Sequence, residues 1–225
     1  MSAEPTATAE EYLEAIHNMV SEDRPPIIAR LAEQLGVAPP TVAGMLQRLS
    51  RDGFITISRN KEIQLTEKGR EAAETMVRRH RLAERLLTDI LGIEWHDAHD
   101  EACRFEHAIS PKVEDRIFTV LGKPFSCPHG NPIPGTHPPS PKQALQLAHV
   151  QTGSRVVVER ITEEAEREPK LLEYLGRNGI VPGATLSVVE VAPFNGTMTV
   201  ESSGRTVVIG LQVASKIRVY AADEG

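Results

Sequence analysis

Along the first fifty residues apolar positions recur at intervals of three and four: Tyr12, Ile16 and Met19, then Ile28, Leu31 and Leu35, then Val42, Leu46 and Leu49. Each set lines one face of a helix, so three short helices are predicted. Gly36 separates the second from the third, and Pro39-Pro40 suits a first helical turn, where a missing amide hydrogen costs nothing. After Gly53 the period shortens to that of strands. Phe54, Ile55 and Ile57, then Ile63 and Leu65, bracket Arg59-Asn60-Lys61, which predicts a β-hairpin with a basic tip. Thr66 then caps an amphipathic helix over about 67–91 that Gly92 ends. Further helices are expected over roughly 95–109 and 111–122. Residues 122–141 are rich in Pro and Gly and read as a linker or extended loop. Beyond them, alternating runs at 155–160, 185–191, 198–201, 206–209 and 216–220 predict a small β-barrel, interrupted by one helix over about 169–178.

Ala32, Gly36 and Val42 fall at the spacing of a helix-turn-helix: the small Ala lets two helices approach, Gly permits the turn's positive φ, and Val packs the second helix on the first. A hairpin with a basic tip directly after it gives the order of a winged helix, whose wing lies along a phosphate backbone. In that geometry Pro40, Thr41 and Ala43 meet base edges, with Pro40 and Ala43 offering apolar contact to a thymine methyl, while Arg48, Arg51, Arg59 and Lys61 neutralise phosphates. So few side chains can read bases bidentately that specificity is expected to come largely from DNA shape and dimer spacing. Charge agrees once it is divided along the chain. The net −6 hides a basic island at 24–70, with eight bases against four acids, after an acidic 1–23 with six acids and no Lys or Arg.

At 225 residues and 40% apolar the chain is long enough for several small domains. Its apolar stretches are short and broken by charge, and no charged region followed by an apolar block opens it. Neither a membrane span nor a signal peptide is expected, and the chain reads as cytoplasmic. Its two cysteines, Cys103 and Cys127, lie in different segments and argue against a disulfide scaffold.

The sharpest chemistry lies at 99–107, where His99, Cys103, Glu106 and His107 project within an arc of about 100° on one helical face. Imidazole, thiolate and carboxylate on one stripe make a ligand set for a first-row transition metal. One helix earlier, His80 and Glu84 share a face at i and i+4. No Ser, Lys or Tyr has an obvious partner that would mark it as nucleophile or acid, and 99–106 lacks the order of a zinc-peptidase helix, so an enzyme is not expected. Two rivals stay open: a winged-helix regulator of a small organic effector, and a metal-dependent hydrolase with an appended winged helix.

The stretches MVRRHRLAERLLTDILG, HDEACRFEHAIS and GNPIPG resemble the diphtheria toxin repressor family of iron- and manganese-dependent repressors over about 8–135, and 145–221 more loosely resembles the SH3-like barrel many members carry, related to a small iron-transport accessory protein. The resemblance implies a mainly α fold with β in three parts: a winged helix-turn-helix over 1–70, a helical metal-binding and dimerisation domain with its Pro/Gly linker over 71–140, and an SH3-like domain over 141–225. It implies a primary metal site of Glu11, Cys103, Glu106 and His107, and an ancillary site of His80, Glu84 and His99 with a ligand from the C-terminal domain. An alignment on Val181-Pro182-Gly183 assigns that ligand to Glu168, with Glu163, Glu164 and Glu166 as neighbours; the second C-terminal ligand position falls at Leu171, which cannot ligate. Iron sensors carry methionine where Glu11 stands and manganese sensors a carboxylate where Cys103 stands. The hard carboxylate tilts the choice to Mn²⁺, while the thiolate suits Fe²⁺ and would accept Zn²⁺ or Co²⁺. The implied function is a repressor that binds a palindromic double-stranded operator as a homodimer when loaded with metal and controls metal homeostasis genes, without an organic cofactor. Dimer contacts are expected from helices around 95–121, with Trp95 and Phe105. Cys127, His129 and His137 in the Pro/Gly loop, and His96, match no ligand of the family pattern and are left outside the metal set.

Overall fold

A computed structural model describes residues 5–136 and 144–222. The chain forms two compact units, Met1–Arg79 with Glu106–Ala108, and His80–Phe105 with Ile109–Gly225. His137 and the expected boundary near residue 140 lie outside the described residues.

The first unit contains α1 (Ala7–Ser21), α2 (Ile28–Leu35), α3 (Pro39–Arg51), β1 (Ile55–Ile57), β2 (Ile63–Leu65) and the start of α4 (Glu67–Arg85). The helical stripes read from the sequence are its core: Leu13, Ile16, Leu31, Val42, Leu46, Leu49 and Ile55 are essentially inaccessible. Gly36 closes α2 in the left-handed region at φ 64°, and Pro39-Pro40 opens α3. In the antiparallel hairpin Ile55 faces Leu65 and Ile57 faces Ile63. Its tip turns through Lys61 at φ 61°, where the Lys61 N–H reaches the Ser58 carbonyl at 2.9 Å. The Thr66 hydroxyl donates to the Gly53 carbonyl at 2.7 Å and accepts from the Gly69 N–H at 3.1 Å, so one side chain caps α4 and ties it to the hairpin.

The second unit carries the rest of α4, which loosens into a π-helical turn at Leu86–Ile90, then α5 (Ala98–Phe105), α6 (Pro111–Val120) and the C-terminal sheet. Leu82, Ala83, Ala102, Ile109, Ile117 and Ile133 make its helical core. The sheet holds β3 (Leu145–Gln146), β4 (Arg155–Ile161), β5 (Thr185–Ala192), β6 (Thr197–Ser202), β7 (Arg205–Gly210) and β8 (Ile217–Ala221) in the order β3-β8-β4-β5-β6-β7. All its pairs are antiparallel. Among the described residues no β3–β7 pairing closes the expected barrel. Between β4 and β5 lie α7 (Glu163–Glu166), which the periodicity does not predict, and α8 (Pro169–Arg177), which it does; α9 (Leu211–Ala214) joins β7 to β8.

Gly69 is the point of tightest approach in the first unit: a Cβ there would overlap the Phe54 carbonyl oxygen, whereas nothing lies within 4 Å of one on Gly44 in α3. Gly69→Ala is expected to lower stability by about 1–3 kcal/mol and Gly44→Ala to raise it by about 0.5–1 kcal/mol. Urea titrations followed by circular dichroism check this, and a loss from both variants contradicts it.

Candidate metal centre

In the first unit, α1 brings two adjacent carboxylates to the short 3₁₀ turn Glu106–Ala108. The continuous helix expected over 95–109 is thus broken: α5 ends at Phe105 and the winding tightens at Glu106. His107 Nδ1 lies 3.0 Å from Glu10 Oε2, a hydrogen bond. Its other nitrogen, Nε2, lies 3.9 Å from Glu11 Oε1 and 3.6 Å from Glu106 Oε1. Those last two separations are too long for hydrogen bonds; both carboxylates approach the same ring nitrogen, but among the described residues the three do not form a donor group as tight as those of the second unit. Glu10, absent from the sequence-derived set, occupies the place of the carboxylate that orients a ligating histidine through its second nitrogen. Glu106 is buried, His107 partly so, and Glu11 half-exposed.

The second unit buries a larger cluster. His80 Nε2 lies 3.2 Å from Glu84 Oε1 and 3.1 Å from His99 Nδ1, so the i, i+4 pair of α4 meets α5. Cys103, one turn beyond His99, is exposed, with its Sγ 3.8 Å from His99 Nε2. The C-terminal segment contributes Glu166 rather than Glu168. Glu166 Oε2 lies 3.4 Å from His99 Nδ1, while the exposed Glu168 carboxylate accepts from Lys216 Nζ at 2.6 Å. Helical phase decides this. Glu163 and Glu166 are three apart on α7 and turn inward, whereas Glu164 and Glu168 both take Lys216. Leu171 packs against the sheet core.

Cys127 and His129, which the sequence reading leaves aside, stand in the same cluster. His129 Nδ1 is 3.3 Å from Glu84 Oε1 and 3.5 Å from Glu166 Oε1, and Cys127 Sγ is 4.0 Å from His129 Nδ1. Their loop is pinned to β4: the Ile161 N–H donates to the His129 carbonyl at 2.9 Å, and Asn131 Nδ2 donates to the Ile161 carbonyl at 2.7 Å and to Glu166 Oε1. Gly130 has no room for a Cβ against the β4 backbone. The available signal was Cys-Pro-His-Gly itself, a thiol and an imidazole two residues apart beside a glycine that both its φ of 91° and the close β4 backbone require. Trp95, partly buried, is also used within this unit, its indole N–H donating to the Pro128 carbonyl at 3.1 Å and its ring lying against His129. Phe105 is exposed and His96 partly so.

The electrostatics reflect carboxylates held away from water. Burial disfavours charge on His99 and on His129, yet hydrogen bonds to Cys103, Glu166 and Glu84 raise His99 well above the ordinary imidazole value, and Glu166 and Glu84 raise His129 to about 9. Burial raises Glu84, but His129 and His80 outweigh it and hold the carboxyl well below the usual range. Burial and the same two carboxylates push the Cys127 thiol well up. Among the described residues, Glu84 Oε2 is buried with no hydrogen-bond partner. Such an orphaned oxygen, beside nitrogen, sulfur and a second carboxylate, fits a divalent cation.

The residues expected at DNA lie in the first unit. Pro40 and Thr41 are exposed and Ala43 half-buried at the start of α3; Arg59 and Lys61 are exposed at the hairpin tip. Arg48 and Arg51 both reach Asp52, at 3.7 and 3.2 Å.

A winged helix joined to clustered His, Cys and carboxylate ligands defines a metal-linked DNA-binding regulator. Comparison with known proteins agrees: residues 4–63 match the "Iron dependent repressor, N-terminal DNA binding domain", 66–135 the "Iron dependent repressor, metal binding and dimerisation domain" and 145–221 the FeoA domain. The chain belongs to the iron-dependent repressor family, which includes the diphtheria toxin repressor. It is 37% identical over 222 residues to the iron-dependent repressor IdeR of Mycobacterium tuberculosis, covering 94% of this chain and 96% of that one. It is 35% identical over 225 residues to the diphtheria toxin repressor of Corynebacterium efficiens, covering 96% of each. A solved manganese-dependent transcriptional repressor in complex with manganese superposes with a TM-score of 0.85 at 34% identity, covering 95% of this chain and all of that one.

Arg81 supports the buried cluster without belonging to it. Its guanidinium donates to Glu163 at 3.1 Å and to the Pro132 carbonyl, and both side chains of the pair are about 7% exposed. Arg81→Met leaves Glu163 buried without its cation and is expected to cost about 3–5 kcal/mol, most of it regained in Arg81→Met/Glu163→Met. Denaturant midpoints of the three proteins decide this: a double variant no more stable than the single one refutes it.

Proposed function

We infer that this chain is a metal-dependent transcriptional repressor that binds a palindromic operator as a homodimer when loaded with Mn²⁺ or Fe²⁺ and controls genes of metal homeostasis. It has no catalytic role in this reading and acts in the cytoplasm; no helix among the described residues is long and apolar enough to cross a membrane. The observation that carries the reading is the meeting of α1 of the winged helix with Glu106 and His107.

Glu11, Glu106 and His107 would hold the activating ion, with Glu10 orienting the His107 ring; Cys103, the further donor that family resemblance implies, has its Sγ 3.8 Å from His99 Nε2. The ion would supply positive charge among carboxylates that otherwise repel one another. Glu11 sits one residue before Tyr12 and Leu13, whose side chains share a core with Leu31 of α2 and Val42 and Leu46 of α3. Fixing Glu11 therefore fixes α1 and, through that core, the helix that enters the major groove. Pro40, Thr41 and Ala43 then meet base edges, while Arg48, Arg51, Arg59 and Lys61 meet phosphates. The Glu11 carboxylate favours Mn²⁺ and the Cys103 thiolate Fe²⁺, with Zn²⁺ and Co²⁺ accepted in vitro. The buried His80, Glu84, His99 and Glu166 form the ancillary set.

Glu10→Ala is expected to weaken Mn²⁺-dependent operator binding by about 10–100-fold, and Glu11→Ala, which removes a ligand, by more. Fluorescence anisotropy of a labelled operator, selected from random DNA, reads both, and unchanged affinity in Glu11→Ala sinks the mechanism. In the same assay Arg59→Ala and Lys61→Ala should each reduce the slope of log affinity against log salt by about 1. A slope unchanged by both removes the wing from the phosphate contacts.

A further inference from the structure

We propose that the buried cluster of the second unit is a two-ion centre in which Glu84 and Glu166 bridge two divalent cations, one held by His80 and His99 and the other by Cys127 and His129. This deepens the reading of His80, Glu84 and His99 as an ancillary site and is independent of the Glu11–His107 set.

Two groups of four donors, His80, Glu84, His99 and Glu166, and Glu84, Cys127, His129 and Glu166, each have their ligand atoms within 4.8 Å of one another. They share their carboxylates and nothing else. Glu166 faces the two groups with different oxygens, Oε2 at 3.4 Å from His99 and Oε1 at 3.5 Å from His129. A carboxylate bridging two cations presents one oxygen to each in this way. Glu84 Oε1 lies between the groups, 3.2 Å from His80 and 3.3 Å from His129, and its buried Oε2 has no hydrogen-bond partner among the described residues. The His80–His99 pair and the Cys127–His129 pair do not fall within one group of mutually close ligand atoms, so a single ion reaches one pair and leaves the other without metal.

Charge permits a second ion. Two carboxylates and a thiolate carry three negative charges; one divalent cation leaves an anion in the interior, and two leave a single positive charge. All six side chains are buried, so water relieves neither state, and the residual charge with two ions is no larger than with one. The donors also differ in kind. Two imidazoles with two carboxylates suit Mn²⁺ or Fe²⁺, whereas a thiolate, an imidazole and two carboxylates suit the softer Zn²⁺, Co²⁺ or Fe²⁺.

The test is an anaerobic Co²⁺ titration of the full chain carrying Cys103→Ser, which removes the other thiol, with bound cobalt counted by mass spectrometry of the metal. His80→Gln/His99→Gln is expected to bind one ion fewer and keep the near-ultraviolet thiolate-to-cobalt absorption. Cys127→Ser/His129→Gln should also bind one fewer and lose that absorption, and the fourfold variant should bind two fewer. A fourfold variant that binds only one ion fewer, or none, overturns the proposal. Glu106→Gln, followed by operator anisotropy, separates this outcome from failure of the activating site, because it leaves all six donors in place.

Discussion

Two carboxylates, Glu84 and Glu166, stand in the interior of the second unit, and their need for positive charge organises what surrounds them. An isolated ionised carboxylate in a protein interior costs many kcal/mol, so it must be neutralised, paired or bound to metal. Here the available cations are imidazoles from three separate places: His80 on α4, His99 on α5 and His129 in the Pro/Gly loop. Segments far apart in the chain converge on one point because each brings part of the compensation. Arg81, one residue after His80, turns to Glu163 and completes the same neutralisation from the next position of α4.

The arrangement also explains features that would otherwise be incidental. The loop after α6 cannot lie freely, since His129 must reach Glu84; backbone pairing to Ile161, the Asn131 amide and the lack of space at Gly130 hold it on β4. The short α7 exists to aim two of its three acids inward, and Lys216 takes up the outward Glu164 and Glu168. The C-terminal sheet therefore serves as a scaffold that supplies one ligand and clamps the loop that supplies two more.

Much of this was legible in the sequence, and the limits have physical causes. The helical stripes of the first unit and the hairpin at Phe54–Leu65 could be read because one face of each element is buried, and burial writes a period into the chain. His80, Glu84 and His99 were legible because α-helical spacing places them on shared faces. Glu166 was not, since a four-residue helix gives too short a phase to choose among neighbouring acids, and alignment on a distant glycine picked Glu168 two residues away. Cys127 and His129 were missed for a related reason: loop residues have no period, and their role depends on which strand the loop lies against. The packing of Trp95 on His129 and the sheet core was not legible either, because the partners of an aromatic ring outside a regular element leave no period in the sequence.

The two ligand sets differ most in their access to water, and that difference separates what each can do. Glu11 is 52% and His107 24% exposed beside the buried Glu106, whereas Glu84, His129 and Glu166 are all at most 1% exposed. Ligands that water reaches can exchange an ion without unfolding, which a sensor of changing concentration requires. Ligands sealed inside a core release an ion only when the core opens, so their binding free energy is coupled to folding. In the proposed reading the α1 carboxylates would set the response to metal, and the buried cluster would set the stability of the second unit.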